Sequence, residues 1–105
     1  MDVLGLLFSV LIILILLVTP ELSKECMTGL RLGLPSAWEE LYDRYSSALY
    51  GIILQHVSAP QAAGVLENAF IRLYREMHRY RSEEERLFTW MYRLTLAVCA
   101  DAKAV

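Results

Sequence analysis

The sequence has no surplus of positive charge. Ten Lys and Arg stand against twelve Asp and Glu in 105 residues, for a formal net charge of -2. That excludes a global field able to hold nucleic acid non-specifically, so any contact with DNA has to rest on a local patch. After residue 36 the balance is closer still, with nine acids and eight bases. Cysteine is equally scarce. Cys26 and Cys99 lie far apart with no Cys or His at ligand spacing, which excludes a zinc knuckle and a disulfide framework and predicts two reduced thiols. His56 and His78 stand alone near expected helix ends, where capping of the last carbonyls accounts for them. The chain also lacks a Gly-rich phosphate loop, a His-Glu-x-x-His pair and a nucleophile elbow. Its carboxylates gather at expected helix starts (Glu39, Glu40, Glu83, Glu84, Glu85), where the helix dipole favours them. These absences point away from an enzyme, a cofactor, a metal or a small-molecule substrate, and toward a protein that acts by binding.

What the chain has in abundance is apolar sequence at its start. From Val3 to Val18 every residue is apolar except Gly5 and Ser9. At 1.5 Å per residue such a run makes a helix of roughly 24–27 Å, within the range that spans a bilayer. A cleaved secretory signal is the main rival, but Asp2 replaces the basic start and no small-x-small site follows. The expectation is an all-α chain with a transmembrane helix over 1–20 in the inner (cytoplasmic) membrane. Lys24 and Arg31 after the span, against Asp2 before it, place the rest in the cytoplasm. Translation from Met27 would remove the span and leave a cytoplasmic protein.

Residues 21–35, with Pro20 and Pro35 at the margins and no helical period, read as a linker. Residues 36–105 read as one three-helix domain. Ser36 with Glu39, Ser58 with Gln61, and Ser82 with Glu85 repeat the capping-box spacing, which predicts three helix starts and about 1 kcal/mol lost on each Ser→Ala change. Apolar residues then recur at three- and four-residue steps: Trp38, Leu41, Tyr42, Tyr45, Leu49 and Ile52; Ala62, Leu66, Ala69, Phe70, Leu73 and Met77; Leu87, Trp90, Met91, Leu94 and Val98. No alternating strand pattern interrupts them. Arg72, Arg75 and Arg79 form a cationic ridge on the middle helix, read as a solvated face paired with Glu76, with a docking strip for phosphate or an acidic partner as the alternative.

Three blocks carry a resemblance: Ala37-Trp38-Glu39-Glu40-Leu41-Tyr42-Asp43-Arg44-Tyr45, Ala69-Phe70-Ile71-Arg72-Leu73-Tyr74-Arg75, and Phe88-Thr89-Trp90-Met91-Tyr92-Arg93-Leu94. In order and spacing they resemble region 2 of extracytoplasmic-function sigma factors of bacterial RNA polymerase, over about residues 36 to 103. The resemblance implies a three-helix bundle in which the middle helix, Gln61 to Arg79, docks on a coiled coil of the polymerase clamp. It also implies a DNA-facing surface around Arg86 to Asp101. On that basis Glu67, Phe70, Leu73 and Tyr74 are the expected polymerase contacts, and Arg86, Phe88, Tyr92 and Arg93 the expected DNA contacts. Strand opening needs aromatic faces for unstacked bases and cations for phosphates, the residue types found there. Trp90 shares the packing face and is expected in the core.

The chain departs from the family pattern in two places. Gln61-Ala62-Ala63-Gly64 stands where the family usually carries Asp-Ala-Glu-Asp, and Leu96-Ala97 replaces an Arg-Asn pair. The first reading is therefore a divergent sigma-like transcription regulator, bound to polymerase core and to promoter DNA and tethered to the membrane. The alternative is a helical module that keeps the shape without DNA, as a decoy for an anti-sigma protein or a subunit of a membrane complex.

Overall fold

The computed structural model describes residues 22–103 continuously, with residues 3, 5–7, 10, 11 and 14 described ahead of them. Four α-helices follow one another in 22–103: α1 (Lys24–Leu32), α2 (Pro35–Leu54), α3 (Ala59–Glu76), which runs into a short 3-10 turn (Met77–Arg79), and α4 (Leu87–Lys103).

The first helix occupies the stretch expected to be a linker, and its ends explain why it forms. The Ser23 hydroxyl accepts the Cys26 amide at 3.1 Å, giving α1 a side-chain N-cap. At the other end Gly33 takes φ 74, its amide donates to the Leu30 carbonyl, and the Leu34 amide reaches back to the Gly29 carbonyl at 2.9 Å. That pair of bonds is a Schellman ending, followed at once by Pro35, which begins the next helix. Cys26, with Gly29 and Leu30 three and four residues after it, turns α1's buried side toward α2. Gly29 is required there, because a Cβ on it would lie 2.8 Å from the Ala37 Cβ.

The three expected serine caps fare differently. Helix α2 begins one residue before Ser36, with Leu34 as its N-cap, so Ser36 lies inside the first turn. Ser58 does stand at the N-cap of α3, yet its hydroxyl donates to Gln61 Oε1 at 3.1 Å and bonds no amide. The reason is local: Pro60 has no N–H, and the Gln61 amide is taken by the Ser58 carbonyl at 3.0 Å. Ser82 lies in a turn, five residues before α4 starts at Leu87. There the Tyr80 hydroxyl donates to the Glu85 carbonyl at 2.9 Å, and the Glu85 carboxylate is drawn forward to Arg93 on α4 instead of back to a cap.

The core lies between α2, α3 and α4. Leu41, Leu49, Ile53, Ala62, Ala69, Leu73, Leu87 and Met91 are completely enclosed. Tyr45 stacks obliquely on Phe88, with ring centroids 5.6 Å apart, and Tyr80 on Trp90 at 5.4 Å. Trp90 is buried, as its place on the apolar stripe predicts. Thr95 is buried with its hydroxyl unpartnered among the described residues.

Among the described residues no helix is long and apolar enough to cross a membrane. Helix α1 has nine residues, about 14 Å at 1.5 Å each. Helix α2 has twenty but carries Glu39, Glu40, Asp43 and Arg44. This corrects the expected transmembrane helix over 1–20, and with it the inner-membrane placement. The remaining positions of 1–20 lie outside the described residues.

Candidate functional site

The amphipathic pattern leaves one side of the α2–α3 pair incompletely covered. Two aromatic couples bridge the helices there: Trp38 with Tyr74, centroids 5.2 Å apart, and Tyr42 with Phe70 at 4.9 Å. The Trp38 indole is fixed by donating to the Leu30 carbonyl at 3.2 Å, so α1 sets its angle. Between the couples runs a groove of about 670 Å³, floored by these rings and Ile71. It is edged by Glu39 and Asp43 on α2 and by Arg75 on α3. Tyr74 is 57% exposed, Tyr42 47% and Ile71 43%, an unusual concentration of apolar surface on so small a body. Gly33 belongs to the same site, since a Cβ on it would come within 3.0 Å of the Tyr74 hydroxyl.

The residues expected to contact polymerase divide accordingly. Phe70 and Tyr74 lie in the groove, and Glu67 is exposed one turn earlier on α3. Leu73 has no exposure and belongs to the core. The groove's other aromatics, Trp38 and Tyr42, fall on the packing stripe by sequence, because periodicity marks an apolar face without marking where its rim meets water.

The expected DNA contacts do not form one surface. Arg86 is exposed at the end of the turn before α4. Phe88 is 4% exposed, its ring against Tyr45, so it presents no free face to a base. Tyr92 is half-buried. Arg93 is exposed but paired with the Glu85 carboxylate. The arginine ridge on α3 is largely a set of solvated pairs: Arg72 with Glu76 at 2.8 Å and with Asp101 of α4 at 3.4 Å, and Arg79 with Glu76 at 3.8 Å. Arg75 has no ion pair among the described residues and faces the groove.

Neither thiol is poised for chemistry. Burial raises the Cys26 thiol above its ordinary range, and the neighbouring Glu40 raises it further; burial does the same to Cys99. Among the described residues no cluster of three or more His, Cys, Asp or Glu is placed to hold a metal ion.

With this geometry in place, comparison with known proteins gives a consistent answer. The family model described as Sigma-70 region 2 matches residues 41–104. An ECF RNA polymerase sigma-E factor of Haemophilus influenzae is 30% identical over 64 residues, covering 61% of this chain and 33% of that protein. An RNA polymerase sigma-H factor of Pseudomonas aeruginosa is 27% identical over 81 residues, covering 76% of this chain and 42% of the relative. The chain thus spans a third to about two fifths of the curated relatives it matches. Among solved structures, an engineered region 2 of sigmaE, determined by NMR in complex with GTAAAA, superposes with a TM-score of 0.69 at 19% identity. The superposition covers 79% of this chain and 92% of that one.

Proposed function

Since the chain belongs to the Sigma-70 region 2 family, we propose that it acts in transcription by docking on RNA polymerase core through the aromatic groove and the adjoining face of α3. The observation that carries this reading is the exposed cluster of Tyr74, Ile71 and Tyr42, with Glu67 one turn away on the helix that the family resemblance assigns to polymerase. Burying such aromatic and aliphatic surface supplies binding energy, while Glu39, Asp43 and Glu67 offer charge to a basic partner. The acids of the family pattern replaced at Gln61, Ala63 and Gly64 shift the balance of docking from charge toward apolar contact. Glu67, Phe70 and Tyr74 are therefore the assigned contacts, with Leu73 supporting them from beneath.

The test is capture of bacterial core polymerase by the purified chain, compared with a Tyr74→Ser/Ile71→Ser variant. Both side chains are exposed, and circular dichroism of the variant checks that the helices are kept. Capture by the parent and at least about a tenfold loss in the variant are expected, from two truncated apolar contacts of about 1 kcal/mol or more each. Equal capture by both would refute the assignment.

Promoter contact is the second half of the family role, carried here by Arg86, Tyr92 and Arg93. The burial of Phe88 and the pairing of Arg93 with Glu85 favour a second reading, a partner-binding module that has given up DNA. A binding assay with single-stranded GTAAAA separates the two. Salt-sensitive binding supports a sigma-like role, and its absence supports the module, with an anti-sigma protein as the competing partner.

A further inference from the structure

Ahead of the bundle the chain carries a second uncovered apolar face. Residues 3, 5–7, 10, 11 and 14 are helical. Among them Val3, Leu6, Leu7, Val10, Leu11 and Leu14 fall at three- and four-residue steps, which puts them on one side of the turn. Each is 47–66% exposed. The groove between α2 and α3 is the other such face, with Tyr74, Tyr42 and Ile71 open to water. Hydration of two apolar faces on one chain is unfavourable, and contact between them removes both from water at once.

The two faces match in length and in character. From Pro35 to Asp43 the α2 edge of the groove runs about 12 Å at 1.5 Å per residue, and a helical stretch over 3–14 runs about 16 Å. The sequence from 3 to 20 holds no charged residue, and neither does the groove floor; Glu39, Asp43 and Arg75 keep to its edges. Reach is also sufficient. Leu22 is buried and fixes the chain just before α1, while Gly33 at the far end of α1 lines the groove. The helix between them is about 14 Å long, and the chain from Leu14 to Leu22 can extend to about 27 Å. A tether this short gives an effective concentration on the order of mM, which favours the chain's own segment over a second copy in dilute solution.

We propose that the apolar stripe of residues 3–14 is a strap that folds back into the α2–α3 groove of its own chain. This structure holds the open state, with stripe and groove both uncovered. In the closed state leucine side chains replace water over Tyr42, Ile71 and Tyr74, and the surface offered to polymerase is hidden. The closure itself rests on the two apolar faces and the tether; its consequence, that the strap competes with polymerase, rests on the docking role proposed above for the groove.

The experiment places a photoreactive amino acid at position 11 of the full chain, irradiates it in dilute solution, sorts the products by mass and maps the joined peptides. The expected product has the mass of one chain and joins position 11 to the peptides of α2 and α3 that hold Trp38, Tyr42 and Tyr74. Leu7→Glu should lower its yield at least about tenfold, because a lone carboxylate is not buried against an apolar floor. Ile71→Ser/Tyr74→Ser should lower it comparably from the groove side, through two lost apolar contacts. A product of twice the mass would make a second copy the occupant and overturn the proposal, as would crosslinks confined to other parts of the chain or no crosslink to the chain at all. Added core polymerase should suppress the one-chain product, and Leu7→Glu should raise polymerase capture. A one-chain product that polymerase leaves unchanged would keep the strap and overturn the competition. Polymerase capture that needs Ile71 and Tyr74 in a chain giving no groove crosslink would overturn the strap and keep the docking role.

Discussion

Gly33 joins the fold to the groove, and substituting it tests both. Its φ of 74 places it in the left-handed region, where an L side chain costs about 1–2 kcal/mol, and Gly33→Ala imposes that cost on the ending of α1. The new Cβ would also sit 3.0 Å from the Tyr74 hydroxyl, so the exposed Tyr74 side chain must give way by a few tenths of an ångström. For a domain of this size each kcal/mol moves the thermal midpoint by about 4–8 °C. Gly64→Ala supplies the control: nothing lies within 4 Å of the added Cβ, and the residue sits inside α3, where alanine is favoured by about 0.5–1 kcal/mol. Thermal and urea unfolding followed by circular dichroism should therefore place the two variants on opposite sides of the parent. A Gly33→Ala variant as stable as the parent would show that the α1 ending does not stabilise the fold as argued.

Other substitutions separate the elements that carry stability from those that do not. Ser23→Ala should cost about 1 kcal/mol of unfolding free energy, while Ser36→Ala and Ser82→Ala stay within about 0.5 kcal/mol because neither hydroxyl caps an amide. Thr95→Val, which replaces a buried unpartnered hydroxyl by a methyl of the same shape, should leave the urea midpoint unchanged or raise it. Phe88→Ala should destabilise by about 3–5 kcal/mol, the signature of a core aromatic; a soluble, stable variant with impaired DNA binding would instead make Phe88 a contact residue. Both thiols have folded-state pKa values raised above the ordinary 9.0. Their contribution is fully present below pH 9.0 and is lost as pH rises through the folded values, so stability should decline on the alkaline side, and less so in a Cys26→Ala/Cys99→Ala variant.

The helical character of 36–103 was legible because three apolar stripes repeat at helical period, and the third, from Leu87 to Val98, is buried throughout. The order and spacing of the three blocks lead to the family for the same reason, since their aromatics and leucines form the inter-helix contacts. Helix α1 escaped notice because it is held by end chemistry and not by a long stripe. Ser23, Gly33, Leu34 and Pro35 were the available signal, a cap followed by a Schellman ending, within only nine helical residues. Ser82 misled because capping-box spacing is also what a turn looks like when its acid is claimed by an arginine downstream. At the candidate site the residue types were readable and their exposure was not. Leu73 and Phe88 point inward and Tyr42 outward, a distinction set by how α2, α3 and α4 cross and absent from any single helix's periodicity.

The most direct test of the central claim is site-specific photocrosslinking to bacterial core polymerase, with a photoreactive residue placed at position 74 in the groove or, in a matched chain, at position 101 on the α3–α4 side. Docking through the groove predicts an efficient crosslink to core from position 74, suppressed by Ile71→Ser, and little from position 101. Equal crosslinking from both positions, or from 101 alone, would contradict it.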